Sequence, residues 1–300
     1  HLYSRDTVDL STVMQENGWD DLKQYVLCLT PRRFGKTTAV ALFVATYALC
    51  VENSEISIFS TGKRASTKLL ELIATMVRQI PGAAELIKKC NGEQLYLDRG
   101  GGGDIRKVNS YPSATTTLRG VGGDLIILEE AAFMDISVFQ QVVVPLLEME
   151  TTSMLAISTP QSASNFYSEM FEMKKPNGEL FFTQIRVGLS CAMCQKNGTP
   201  ETCTHTAAVI PPWKSASKLD LVTSLYGDRK DLLLRESMGQ ITEDVDCMYD
   251  APEVDALVNT RVELPTPPTH IALACDPTGG GEQSEMTLLA ACFAQGKFVL

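Results

Sequence analysis

The chain lacks any uninterrupted apolar run of the ~18 residues that a membrane-spanning helix requires. Its first residues include Arg5, Asp6 and Asp9 and contain no signal-peptide core, so the sequence predicts a soluble, intracellular protein that is not secreted. An excess of positive charge is also missing: 26 Lys and Arg against 36 Asp and Glu leave a net charge of −10. This excludes a uniformly basic nucleic-acid coat, because counterion release needs cations placed along the phosphates. A local channel stays open through Arg32–Arg33–Lys36, Lys63–Arg64–Lys68 and Lys174–Lys175, clusters that a solvated charged face explains as well. The nine cysteines are scattered and form no secreted disulfide framework. Cys28, Cys50, Cys275 and Cys292 sit in apolar runs, where a reduced thiol behaves as a small hydrophobe. No internal repeat is present.

What is there is a hydrophobic fraction of 44% over 300 residues, enough for one large domain and part of a second. His1 and the stop at Lys297–Leu300 within a predicted strand make both ends look cut. Short β-branched runs alternate with helical patterns, which predicts an α/β fold with a mainly parallel sheet. The predicted strands are Tyr25–Leu29, Ile56–Ser60, Leu125–Leu128, Met154–Ser158 and Leu180–Val187, with Gln94–Leu97 and Ile105–Asn109 flanking the Gly100–Gly103 turn. Helices are predicted over Thr37–Leu49 and Thr67–Ile80, the second burying Leu69, Leu72, Ile73, Met76 and Ile80. Four prolines between Ala251 and Pro268 mark a linker, giving domains over 1–250, a linker over 251–268 and a second domain beginning at 269.

Strand Tyr25–Leu29 runs into Thr30-Pro31-Arg32-Arg33-Phe34-Gly35-Lys36-Thr37-Thr38 and then into a helix, the context of a phosphate-binding loop. Backbone N–H groups at the helix start can hold phosphates, Lys36 can neutralise them, and Thr37 can ligate Mg²⁺. Thr30 stands where the common pattern has its first glycine, so a chance match at a helix start competes with this reading. Leu125-Ile126-Ile127-Leu128-Glu129-Glu130 is a buried strand tipped by two carboxylates. Glu129 fits the Mg²⁺ ligand and Glu130 the acid that polarises attacking water, although two acids in a helical first turn are the plainer alternative. Ser158 or Thr159, after the next strand, is a candidate sensor of the γ-phosphate, or an ordinary turn before Pro160.

Together, Pro31-Arg32-Arg33-x-Gly35-Lys36-Thr37, Leu118-Arg119-Gly120, Glu129-Glu130-Ala131 and Ser158-Thr159-Pro160 resemble the large terminase subunit of herpesviruses and tailed phages, over roughly residues 25 to 300. Its phosphate loop is rich in arginine and poor in glycine in the same way. The resemblance implies an ASCE-type, RecA-like P-loop ATPase with helices on both sheet faces, using ATP and Mg²⁺. It also implies a homo-oligomeric ring at a capsid portal that drives double-stranded DNA inward with a small terminase subunit, and no membrane. Arg119 resembles the arginine that a neighbouring subunit inserts; Arg32 and Arg33, inside the loop, have the better claim on phosphate. Ile271–Pro277, Gly279–Gly281 and Ser284-Glu285-x-Thr287 resemble the opening strands of the terminase RNase H-like nuclease. In it Asp276 and Glu285 would ligate the divalent metals. One aspartate cannot assemble a two-metal site, so these 300 residues are not expected to cut DNA by that route.

Cys191, Cys194, Cys203 and His205, in an insert over 185–215, have the types and approximate spacing of a structural Zn²⁺ site, or else form a polar loop with incidental cysteines. With the phosphate loop, this insert tilts the origin toward a herpesvirus, hence the host nucleus, against host cytoplasm for a phage. Two rival functions share these motifs. One is a superfamily 2 helicase or other nucleic-acid translocase, which should show a second RecA-like repeat where Asp276-Pro277 and the glycine run stand. The other is a nucleotide-gated scaffold that binds ATP without hydrolysing it, for which Glu130 would have no use.

Overall fold

The computed structural model describes residues 10–16, 23–100, 103–112, 121–188, 197, 211, 213–214, 216–242, 256, 270–276, 287–294 and 297–299. The chain divides into two compact units, His1–Val245 and Asp246–Leu300.

In the first unit a short helix α1 (Leu10–Glu16) precedes β1 (Tyr25–Leu29), α2 (Lys36–Cys50), β2 (Glu55–Ser60) and α3 (Lys63–Gln79). Then come β3 (Ile87–Cys90), β4 (Gln94–Asp98), β5 (Ile105–Pro112), β6 (Leu125–Glu129), β7 (Ser153–Ser158) and β8 (Thr183–Arg186). The strands form one eight-stranded sheet in the order β3-β4-β5-β2-β6-β7-β1-β8. From β5 to β8 every pair is parallel, while β3, β4 and β5 run antiparallel as hairpins.

The two faces explain the unbroken apolar run of β6. Leu125 and Ile127 enter one core with α2 and α3, whereas Ile126 and Leu128 enter a second core on the opposite face with Phe59, Val143 and Tyr167. A parallel strand covered on both sides has no reason to alternate with polar residues. Helix α3 buries Leu69, Leu70, Ile73, Ala74 and Val77, with Leu72 and Met76 at the margin of the core. The face is thus rotated from the predicted one, and Ile80 is 40% exposed beyond the helix end. The predicted strand Leu180–Val187 is shorter as well: it pairs with β1 from Thr183 to Arg186, and among the described residues β8 has β1 as its single neighbour.

Helix α2 ends against an unusual cap. Arg106 on β5 is 2% exposed and donates from Nη1 to the carbonyls of Ala48 (3.0 Å) and Leu49 (2.5 Å). Its Nε and Nη2 engage Asp104 at 2.9 and 2.5 Å. The guanidinium thereby serves carbonyls that a helix end leaves without intrahelical partners.

After β6 the chain passes through helix α4 (Ile136–Val138), a π-helical turn (Phe139–Val143) and α5 (Val144–Leu147). Beyond β7 come α6 (Phe166–Glu169), α7 (Ala216–Leu225), α8 (Lys230–Leu233) and a second π-helical turn, Leu234–Met238. The second unit contains an antiparallel sheet in the order β11 (Lys297–Val299), β10 (Thr287–Ala294), β9 (His270–Asp276).

Candidate active site

Strand register brings the site together. Leu29 pairs with Ser158, Glu129 with Ile157, and Ser60 with Glu129, so the carboxyl ends of β1, β7, β6 and β2 share one edge of the sheet. Side chains from the loops that follow these strands converge there. Strand β7 lies between β1, which leads into the Thr30–Thr38 loop, and β6, which carries the acids.

Thr30, where a first glycine was absent, is 4% exposed, and its N–H donates to the Ser158 carbonyl at 3.1 Å. The loop then turns through two left-handed residues, Arg33 (φ 64°) and Gly35 (φ 87°), before α2 begins at Lys36. Glycine suits the second position, since a Cβ there would stand 3.2 Å from the Trp213 ring. Lys36 Nζ donates to Thr159 Oγ1 at 2.6 Å and lies 3.6 Å from Glu130 Oε1. Thr37 donates from Oγ1 to Glu129 Oε1 at 2.7 Å, and Ser60 from its hydroxyl to Glu129 Oε2 at 3.3 Å. The lysine–threonine pair and the twin acids therefore meet, 92 positions apart in the chain.

Burial sets the electrostatics. Desolvation pushes the Lys36 amine below its ordinary pKa, and Glu130 beside it opposes that shift. Desolvation also raises Glu129, against the lowering effect of the Thr37 hydroxyl. Glu130 occupies a left-handed backbone conformation (φ 53°), a costly state for a residue with a Cβ, and its turn is held from two sides. Ser158 Oγ accepts from Ala132 N–H at 3.1 Å, and Asn165 Nδ2 donates to the Ala132 carbonyl at 2.9 Å. Glu130 Oε2 is buried with no hydrogen-bond partner among the described residues.

A cleft of about 560 Å³ opens over Arg32, Arg33, Gly35, Lys36, Thr37, Thr38 and Glu130, of a size that admits a small-molecule ligand. Thr37 and Glu129 offer hard oxygen donors side by side, and Glu130 Oε2 has hydrogen-bonding capacity to spare. This donor set fits Mg²⁺, which takes one or two protein oxygens and completes its shell from phosphates and water.

The remaining predicted residues fall as follows. Ser158 faces the Ala132 turn and Thr159 faces Lys36, so the two candidate sensors have different contacts. Pro31 is buried against Gly239. Asp276 ends β9, its backbone paired with Thr287. Arg119, Glu285, Cys191, Cys194, Cys203 and His205 lie outside the described residues. Among the described residues no cluster of three or more His, Cys, Asp or Glu side chains suits a metal ion. Sequence reasoning missed Ser60, Trp213 and Glu236. Trp213 donates from Nε1 to the Arg33 carbonyl at 2.8 Å, and Glu236 pairs with Arg32.

A family described as "Terminase large subunit, T4likevirus-type, N-terminal" matches residues 27–231. The chain belongs to this terminase family. A search of curated protein sequences finds no match. Among solved structures, the terminase fold recurs in the ATPase domain of the Thermus phage P74-26 large terminase (TM-score 0.54, 16% identity, covering 79% of this chain and 94% of that one). The large terminase of the thermophilic bacteriophage D6E, in complex with ADP, gives 0.55 at 12% identity, covering 99% and 64%. The HK97 bacteriophage large terminase gives 0.59 at 13%, covering 92% and 58%. The chain thus spans less than two thirds of the D6E and HK97 terminases, and at these identities the likeness carries the fold alone. The eight-stranded, mostly parallel sheet with helices has the RecA-like P-loop α/β fold, as the resemblance implied. The tilt toward a herpesvirus finds no support: the family is of the T4-like-virus type, and these three relatives are phage proteins.

Proposed function

We propose that this chain is the ATP-hydrolysing motor part of a viral large terminase subunit, and that hydrolysis drives double-stranded DNA into a preformed capsid. The observation that carries the reading is the contact of Lys36–Thr37 with Glu129–Glu130 at one sheet edge within a terminase fold. The D6E terminase has been solved with ADP and with ATP-gamma-S, which supports ATP as the nucleotide here.

Lys36 binds the β- and γ-phosphates, and the N–H groups opening α2 add donors to the same oxygens. Thr37 and Glu129 are the residues that would hold Mg²⁺, which would supply positive charge beside the phosphates. Glu130, fixed by its pinned turn, orients the attacking water and accepts its proton. Thr159 senses the γ-phosphate through its hydrogen bond to Lys36, which links β7 to the state of the nucleotide. Arg33, or Arg119 from a neighbouring subunit, neutralises charge in the transition state.

In the longer protein, Asp276 and Glu285 contribute to metal-dependent DNA cleavage by an RNase H-like domain that begins near residue 269. The motor acts as a ring at the portal with the small terminase subunit, and the T4-like-virus type of its family favours host cytoplasm.

ATP hydrolysis by wild type and Lys36→Ala, each with and without linear double-stranded DNA, tests the reading. We expect a loss of about 100-fold or more in Lys36→Ala and faster wild-type turnover with DNA. Equal rates in the two proteins remove the motor; turnover indifferent to DNA leaves an ATPase without translocation.

A further inference from the structure

The phosphate loop is held near its start, at Pro31 and Arg32, by a later part of the chain. Arg32 N–H donates to the Glu236 carbonyl at 2.9 Å, and Arg32 Nε forms an ion pair with Glu236 Oε2. Next to this, Gly239 packs on Pro31: a Cβ at position 239 would come within 2.9 Å of the proline ring, and the backbone there is left-handed (φ 74°). The Arg32 side chain is 60% exposed and lines the cleft, whereas that of Glu236 is only 20% exposed. Both groups are close enough to act on the Lys36 amine, Arg32 lowering its pKa and Glu236 raising it.

A carboxylate and a phosphate present the same fork of acceptor oxygens to a guanidinium. An arginine at the rim of a phosphate cleft that already holds an acid is therefore an arginine with two competing partners. We propose that Glu236 is a positioning residue of the phosphate site: it holds Arg32 at the cleft rim as an internal stand-in for phosphate, and a bound triphosphate takes the guanidinium from it. The backbone bond and the Gly239–Pro31 contact do not involve the carboxylate, so they persist when the ion pair opens. Glu236 then sets how tightly the nucleotide binds, and release of its side chain signals occupancy to the Leu234–Met238 turn. The proposal rests on the loop being a triphosphate site.

The test is equilibrium binding of Mg-ATP to wild type, Lys36→Ala, Arg32→Ala, Glu236→Gln, Glu236→Asp and the Arg32→Ala/Glu236→Gln double variant, with thermal unfolding as a check on folding. Removing the competing charge should tighten ATP binding by about two- to fivefold in Glu236→Gln, the range of a partly exposed ion pair. Glu236→Asp should return affinity toward wild type. In the Arg32→Ala background, Glu236→Gln should change affinity by less than about twofold, since the competition needs both partners. A folded Glu236→Gln that binds ATP no better than wild type, or a gain that survives loss of Arg32, overturns the proposal while leaving the phosphate site intact. Unchanged binding in Lys36→Ala instead overturns the site itself.

Discussion

Glu129 and Lys36 are 4% and 8% exposed, and an enclosed charge costs stability unless something compensates it. The Thr37 and Ser60 hydroxyls offset part of that cost for Glu129, yet its carboxyl remains raised by desolvation. With the folded value above the unfolded one, the native state binds more protons between the two. Stability therefore falls as pH rises from the ordinary carboxylate range through Glu129's folded value. Lys36, with its pKa lowered, has the mirror effect at high pH: its charge costs stability at neutrality, and that cost is relieved as pH climbs toward its unfolded value. Glu129→Gln should therefore match or exceed wild type in thermal midpoint at neutral pH, lose the acidic-side slope and lose hydrolysis, a trade of stability for function. A variant that melts several degrees lower would show that the charge stabilises the empty fold, contrary to this account.

At the scale of elements, the cap on α2 is the feature with most at stake. Arg106 joins β5 to the last carbonyls of α2, and Asp104 satisfies the rest of its guanidinium. Arg106→Ala removes a nearly fully buried cation, leaving two helix-end carbonyls and a carboxylate without it. Urea denaturation should report a loss of about 3 kcal/mol at neutral pH. The Arg106 hydrogen bond also holds the Asp104 carboxyl below its usual range. Its contribution is accordingly present above the unfolded aspartate value and is lost as pH falls through the lower folded one. A deficit in Arg106→Ala that does not shrink on acidification would contradict the pairing.

Elements also show what was legible from sequence. Strand β6 could be read because Leu125–Leu128 is apolar at every position, the mark of a strand covered on both faces. The strand–loop–helix form around Gly35-Lys36-Thr37 could be read despite Thr30, because an apolar strand precedes the loop and a helical pattern follows it. The buried face of α3 differs from the one its periodicity predicts: the stripe is located, but the packing of Leu70, Ala74 and Val77 depends on neighbours that a single helix does not reveal. The π-helical turns Phe139–Val143 and Leu234–Met238 carry no periodic signature at all.

Across the whole molecule, the site is a product of strand order. β7 separates β1 from β6 by one strand, and this spacing lets Lys36 reach both Thr159 and Glu130 while Thr37 reaches Glu129. Lys36, Thr37, Glu129 and Glu130 could be singled out from sequence because the first two open the helix that follows the loop after apolar strand β1, and the acids stand at the tip of apolar strand β6. Trp213 and Glu236 could not: they reach the loop by a fold-back of 180 residues or more, which leaves no local pattern. The family match and the fold place this architecture among large terminases.

The most direct test separates binding from hydrolysis in Glu130→Gln, by measuring Mg-ATP affinity and single-turnover hydrolysis in the same preparation. If Glu130 accepts the proton of the attacking water, affinity should stay within a few-fold of wild type while hydrolysis falls by about 100-fold or more. Hydrolysis at the wild-type rate would contradict the account, because the acid facing Lys36 would then have no part in the chemistry.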